Sequence, residues 1–233
     1  MCSSDLRDKS DVIFRHFGGA SWESKWAETP IIFNKSKTMN ELNRLHIANN
    51  HTTDKWGTTP DKHSYLEKYG EIFERLKDRD NRILEIGIKE GDSLNLWAEY
   101  FTQSIVYGID NHYPQEGMVE LHRRVRIIEG DAYTPEMMTL LKDIGKFDVI
   151  IDDGSHWLYH QKFVIDYYLD LLTDDGILVI EDCNCNLDPV DGIRYVDMLI
   201  NWFPEEVRYK AYIDPRIAIN NNMEDTLVIY DKI

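Results

Sequence analysis

Between Phe147 and Gln161 the chain reads FDVIIDDGSHWLYHQ. An apolar run ends in two adjacent acids, Asp152 and Asp153, with His156 three residues past the second. Burial disfavours the charged form of a carboxyl group, so acids at the end of a buried strand are costly unless something binds there. Four other apolar runs finish the same way. The first leads into Glu85, with Gly87 and Gly91 after it; the second into Asp110; the third into Asp131; the fifth into Glu181 and Asp182. Turn and helix-cap chemistry accounts for any one of these residues. It accounts poorly for five in succession, because clustered carboxylates repel one another. A cationic or hydroxyl-rich ligand, together with a metal ion, relieves that repulsion. Asp153, Glu181 and Asp182 offer adjacent hard oxygens of the kind Mg²⁺ takes while keeping waters open for a substrate hydroxyl. The neutral imidazole of His156 is suited to accept that hydroxyl's proton. His160, one helical turn further on, is the second candidate base.

These residues need elements to hold them. From residue 82, short apolar runs alternate with helical segments: RILEIG, SIVYGID, RVRIIEGD, KFDVIIDDG and GILVIED are each followed by loop or helix. The alternation predicts βαβ units and a mostly parallel α/β sheet covered on both faces. In such sheets ligands sit beyond the carboxyl ends of the strands, where strand order reverses. The stretch between SIVYGID and RVRIIEGD is read as loop and helix. Two last runs, VRYKAYI and DTLVIYDKI, are expected to pair as an antiparallel edge. Ahead of the sheet, residues 1 to about 50 read as an appendage, with a helix around Met39–Ile47 after the loop GGASWESKWAETP. An amphipathic helix is expected over His63–Leu76, with Tyr65, Tyr69, Ile72, Phe73 and Leu76 on its apolar face.

Composition narrows the partners. A net charge of −16 over 233 residues disfavours a polyanion, so no nucleic acid is expected and a small-molecule acceptor fits better. No apolar run is long enough for a membrane span, and the polar N-terminus lacks a signal core, which predicts a cytoplasmic protein with no membrane contact. Cys2, Cys183 and Cys185 are read as free thiols.

The turn after the first strand, Glu85-Ile86-Gly87-Ile88-Lys89-Glu90-Gly91, does not have the Gly-x-Gly-x-x-Gly spacing of a dinucleotide site, and its two glutamates repel a pyrophosphate. S-adenosylmethionine has no phosphate. Its ammonium and sulfonium suit acidic neighbours, and its ribose diol suits an acid at the end of the second strand, where Asp110 stands.

LEIGIKEGDSL, YGID, IIEGDA, FDVIIDDGSH and GILVIED together resemble the class I S-adenosylmethionine-dependent methyltransferases. More closely they are similar to the metal-dependent O-methyltransferases acting on sugars of macrolides and related natural products, and to cephalosporin-hydroxylase-like proteins. DKWGTTPDKHSYLEKYGEIF is similar to the segment preceding that domain, and the likeness runs over residues 52 to 182. One departure is Lys89, which replaces the middle glycine of E-x-G-x-G-x-G.

The resemblance implies a Rossmann-like domain over residues 61–233 and an N-terminal extension or lid over 1–60. In the N-terminal region, Trp22, Trp26, Trp56 and His63 are candidates to form a lid over the acceptor, and His51, Asp54 and Lys55 to line the cofactor entrance. It makes Asp153 and Asp182 metal ligands, leaves Glu181 open, and makes His156 the base. Glu85, Gly87, Ser93, Asp110, Asp131, Ala132 and Asp152 are the expected cofactor-binding residues. S-adenosylmethionine and Mg²⁺ are the expected cofactors, and a sugar or glycoside hydroxyl the acceptor. A homo-oligomer with residues 1–50 packed on a neighbour is also expected. The competing readings are a nicotinamide-dependent oxidoreductase on the same sheet and a non-catalytic cofactor-binding subunit.

Overall fold

A computed structural model describes residues 39–57, 63–183, 194–215 and 226–233. All lie in the second of the two units into which the chain divides, Met39–Ile233. Trp22, Trp26, Cys2 and Cys185, named above, fall outside the described residues.

Five parallel strands, β1 (Arg82–Ile86), β2 (Ile105–Asp110), β3 (Val125–Glu129), β4 (Phe147–Asp152) and β5 (Leu172–Ile180), are joined by β6 (Ala211–Pro215) and β7 (Thr226–Asp231). The sheet order is β3-β2-β1-β4-β5-β7-β6, with β7 antiparallel to both β5 and β6. Strand order reverses between β1 and β4, so the connections leaving them diverge and open a crevice at their carboxyl ends.

Helices cover both faces. Along β1, Ile83 points into a core with α1 (Glu41–Ala48), α2 (Tyr65–Phe73) and α3 (Asp92–Tyr100), through Leu42, Tyr69, Phe73 and Trp97. Leu84 and Ile86 point the other way, into a core with α4 (Pro135–Ile144), α5 (Leu158–Tyr167) and α6 (Tyr195–Trp202). The period-two alternation of side chains assigns these faces. Local sequence sets the helix starts. Thr134 accepts a bond from the Met137 amide (3.3 Å), and Pro135 takes the first helical position of α4. Asn40 caps α1 and also donates to the Leu66 carbonyl on α2 (2.9 Å). Gly70 makes room for that contact, since a Cβ there would lie 2.2 Å from Asn40 Nδ2. Helix α1 is therefore fastened to the helix that precedes the sheet.

The structure departs from expectation in two places. Residues 111–124, between β2 and β3, form turns and no helix; Pro114 and Gly117 interrupt any helical run there. Strand β6 starts at Ala211, because the Val207 and Arg208 amides turn back onto the Pro204 carbonyl (3.0 and 2.9 Å). The two last strands pair antiparallel at one side of the sheet, as expected, with β6 outermost and β7 between it and β5. The continuous apolar run of β7, Leu227 to Tyr230, is buried throughout, which an edge position would not allow.

Candidate active site

The end of β1 approaches the end of β4 closely. Gly87 has φ +86°, and a Cβ on it would lie 2.1 Å from the Asp153 carbonyl. Its missing side chain therefore lets the two strand ends converge. The turn then spends its amides internally. Gly87 donates to the Ile109 carbonyl (2.9 Å), Ile88 to Asp110 Oδ2 (2.9 Å), and Gly91 to the Ile88 carbonyl (2.8 Å). Amides so committed cannot cradle a pyrophosphate. Lys89 takes the left-handed conformation (φ 49°) where the resemblance has glycine, and its ammonium points outward to Asp54 (3.1 Å).

Asp153 belongs to two groups of side chains. The inner group is Glu85, Asp153 and Glu181, whose carboxylate oxygens lie within 4.8 Å of one another. Lys55 fills it. Its ammonium donates to Asp153 Oδ2 and to both Glu181 oxygens (2.8 Å each), and lies 3.5 Å from Glu85. The Lys55 side chain is only 1% exposed. Burial works against its charge, but Asp153, Glu181 and Glu85 outweigh burial and hold its pKa well above the usual lysine value. One ammonium does not neutralise three carboxylates. Asp153 keeps the charge: burial pushes its carboxyl up, but Lys55 and His156 prevail and hold it at about 2. Burial pushes Glu181 well above its usual range and Glu85 to about 7. Glu85 Oε2 accepts from Ser93 (2.8 Å) and Trp97 (3.1 Å), whereas Oε1 has no hydrogen-bond partner. Tyr69 donates to Glu181.

The outer group is Asp153, His156 and Asp182, with ligand atoms again within 4.8 Å of one another. His156 Nε2 is 3.2 Å from Asp153 Oδ1, and Nδ1 is 3.6 Å from Asp182 Oδ2. Burial acts to lower the imidazole, but the bond and charge of Asp153, with Asp182 behind them, hold it up at about 9. Asp182 is pushed up by burial and by Asp153. Tyr65 donates to it (2.6 Å), and His63 lies 3.8 Å away. Both His156 (φ 58°) and Asp182 (φ 50°) adopt the left-handed conformation, a local cost that tends to gather at functional sites.

The other expected residues are placed as follows. Asp110 ends β2 and accepts from Ile88, His112 (2.8 Å) and Gln115 (3.0 Å). Asp131 is exposed and accepts from the Tyr133 amide (2.9 Å), with Ala132 buried beside it. Asp152 turns away from the outer group, accepts from the Tyr133 hydroxyl (2.8 Å), and is pushed to about 6 by burial. His160 bonds Ser155 (2.6 Å) and touches neither acid group. His51 links Asp92 (2.7 Å) to Glu99 (2.9 Å), and Trp56 packs on His46 at 4.8 Å. Cys183 is a buried free thiol. The hydroxyls of Tyr65 and Tyr69, and Lys55 as a buried counter-charge, were not legible as site groups. The available signal was Tyr, Tyr, Phe at four-residue spacing: the two helix turns nearest the strand ends carry hydroxyls and the third, Phe73, does not.

Residues 84–183 match a family described as a methyltransferase domain. The sheet order and the crevice at its switch point are those of the class I, Rossmann-like methyltransferase fold. A Streptomyces olivaceus 8-demethyl-8-alpha-L-rhamnosyl tetracenomycin-C 2'-O-methyltransferase is 32% identical over 161 residues, covering 65% of this chain and 40% of that one. A Streptomyces antibioticus L-olivosyl-oleandolide 3-O-methyltransferase is 34% identical over 154 residues, covering 62% and 38%. The chain thus spans well under half the length of these curated relatives. Among solved structures, the MycE methyltransferase of the mycinamycin biosynthetic pathway, in complex with Mg and SAH, superposes with a TM-score of 0.63 at 22% identity, over 84% of this chain and 55% of that one. An O-methyltransferase from Bacillus cereus in complex with SAH superposes at 0.54 with 12% identity, over 96% and 97%. No helix among the described residues is long and apolar enough to cross a membrane.

Proposed function

We propose that the chain transfers the methyl group of S-adenosylmethionine to a hydroxyl of a sugar or glycosylated natural product, with Mg²⁺ bound in the outer group. The carrying observation is the convergence of Asp153, His156 and Asp182 at the carboxyl ends of β4 and β5. The donor set fits a hard divalent cation: two carboxylate side chains face each other across an imidazole that lies close to both. A bound Mg²⁺ supplies charge that neutralises both carboxylates and makes an adjacent acceptor hydroxyl more acidic. Asp153 and Asp182, which hold the His156 imidazole up at about 9, are the residues that would hold the ion, and with their charge so occupied the imidazole would fall toward the range where it accepts a proton. His156 then takes the acceptor's hydroxyl proton. Lys55 keeps Glu181 and Glu85 in place, and Asp110 is positioned for the ribose hydroxyls of the cofactor. Glu85, Gly87, Ser93, Asp131, Ala132 and Asp152 complete the proposed cofactor side. Ser93 and Asp152 act there through Glu85 and Tyr133, to which they are bonded. The relatives methylate rhamnosyl and olivosyl groups, as their names state, and this supports the acceptor class.

The test is incubation with S-adenosylmethionine, Mg²⁺ and a panel of rhamnosyl and olivosyl glycosides, read by mass spectrometry. A methylated glycoside formed with Mg²⁺ and absent with chelator is the expected result. Binding of NAD in place of S-adenosylhomocysteine overturns it.

A further inference from the structure

Each carboxylate of the outer group has its two oxygens turned to different partners. Asp153 Oδ1 faces His156 Nε2 (3.2 Å), whereas Oδ2 accepts from the Lys55 ammonium. Asp182 Oδ2 faces His156 Nδ1 (3.6 Å), whereas Oδ1 accepts from the Tyr65 hydroxyl (2.6 Å), with His63 Nδ1 3.8 Å from the same oxygen. One oxygen of each acid is thus tied to a donor of the protein, and the other is left toward the imidazole between them. The two donors are themselves tied together. Ser64 makes no side-chain cap bond to α2, and the Lys55 carbonyl takes the Tyr65 and Leu66 amides (3.0 and 3.2 Å). Both donor side chains are buried. The Tyr65 ring is stacked on His63 (5.0 Å between centroids, 10° between planes) and meets Tyr69 edge to face (6.3 Å, 72°). Neither donor can swing away without leaving buried polar groups unpaired.

We infer that Lys55 and Tyr65 are positioning residues that set the cation preference of the outer group: by occupying one oxygen of each carboxylate, they limit Asp153 and Asp182 to one metal bond apiece and so select Mg²⁺ against the larger Ca²⁺. This rests on the reading of the outer group as the Mg²⁺ site and adds the residues that decide which divalent ion it takes. Ca²⁺ takes about six to eight oxygens and commonly holds carboxylates through both of theirs. Mg²⁺ keeps several waters and is held by one or two carboxylates in a near-ideal octahedron. Two single-point carboxylates suit the second ion and leave the first short of ligands. A donor behind a metal ligand also fixes that ligand's orientation, and losing one typically costs about 10–100-fold in metal affinity. Freeing Asp182 Oδ1 therefore acts on the two ions in opposite senses. Mg²⁺ loses an oriented ligand, and Ca²⁺ gains a second oxygen.

The experiment titrates Mg²⁺ and, separately, Ca²⁺ into wild type, Tyr65→Phe and Tyr69→Phe, each saturated with S-adenosylhomocysteine, and reads both affinities by calorimetry. Tyr69→Phe is the control: it removes the same atom from the same helix, one turn on, but that hydroxyl is bonded to Glu181 in the inner group. Wild type should bind Mg²⁺ more tightly than Ca²⁺. In Tyr65→Phe the ratio of the Ca²⁺ Kd to the Mg²⁺ Kd should fall about tenfold, the lower end of the effect of a partner behind a metal ligand. In Tyr69→Phe the ratio should stay as in wild type. A ratio unchanged in Tyr65→Phe refutes the role of the tie while the metal site and the proposed activity stand. An equal shift in both variants also refutes it and assigns the effect to packing of α2. A wild type that prefers Ca²⁺ overturns the inference outright. A wild type that binds neither ion removes the metal reading of the outer group and the inference together. A Mg²⁺ preference that Tyr65→Phe relaxes, in a protein that methylates no glycoside, supports the inference and removes only the sugar acceptor.

Discussion

Asp153 stands between two clusters of nearly the same composition that the fold treats in opposite ways. The inner cluster, with Glu85 and Glu181, is sealed and already holds a cation of the protein's own, Lys55. The outer cluster, with Asp182, is partly exposed, and its cation is a titratable histidine. A buried ammonium is a permanent counter-charge, costly to remove. An imidazole is an exchangeable one, able to give way to a metal ion. The same carboxylate thus joins a structural ion cluster to the proposed chemical one. The contrast also bears on Glu181, whose oxygens are committed to Lys55 and Tyr69.

The largest effect is expected at the outer cluster. His156→Ala should slow methyl transfer by about 10²–10⁴-fold in Mg²⁺, the usual contribution of a general base, while calorimetry finds metal and cofactor still bound. Lys55→Met should act on stability instead. Removing one partner of a buried ion cluster costs about 3–5 kcal/mol, measurable by urea unfolding. Added Mg²⁺ should recover part of that loss, because the vacated inner oxygens can then hold a cation. If the variant is as stable as wild type without metal, the structural role of Lys55 is wrong. A control outside both clusters is Asp110→Ala, expected to weaken S-adenosylhomocysteine binding by roughly 1.5–3 kcal/mol and to leave Mg²⁺ binding unaltered. A last effect is on pH dependence. The folded-state pKa of Glu85 is raised from 4.5 to about 7. The stability it contributes is therefore fully present below about 4.5 and lost as pH rises through about 7. Glu85→Gln should remove that share of the slope, up to about 1.4 kcal/mol per pH unit, from unfolding curves taken between about pH 5 and 8. A slope identical to wild type would mean Glu85 stays ionised.

Much of this arrangement was legible in the sequence because it is local. The five parallel strands and their acidic ends follow from apolar runs alternating with helical segments, and a side chain at a strand's end lies at the sheet's end whatever the neighbours do. Lys55 was not legible in its role, because its partners Asp153 and Glu181 stand 98 and 126 residues away in sequence. Tyr65 and Tyr69 looked like core residues, and they are buried, but their hydroxyls reach carboxylates that only the folded sheet brings near. The missing helix between β2 and β3 shows the opposite limit: alternation implied a regular βαβ unit, and local Pro and Gly chemistry prevailed. Lys89 likewise departs from the glycine pattern, yet the fold admits it by turning its side chain out to Asp54.

The division between the two clusters is tested most directly by titrating Mg²⁺ calorimetrically into protein saturated with S-adenosylhomocysteine, comparing wild type with Asp182→Asn and Glu181→Gln. If the outer cluster is the metal site, wild type and Glu181→Gln bind the ion with similar affinity, and Asp182→Asn loses it. Loss of the ion in Glu181→Gln with binding retained in Asp182→Asn would contradict the account and move the metal to the inner cluster, in place of Lys55.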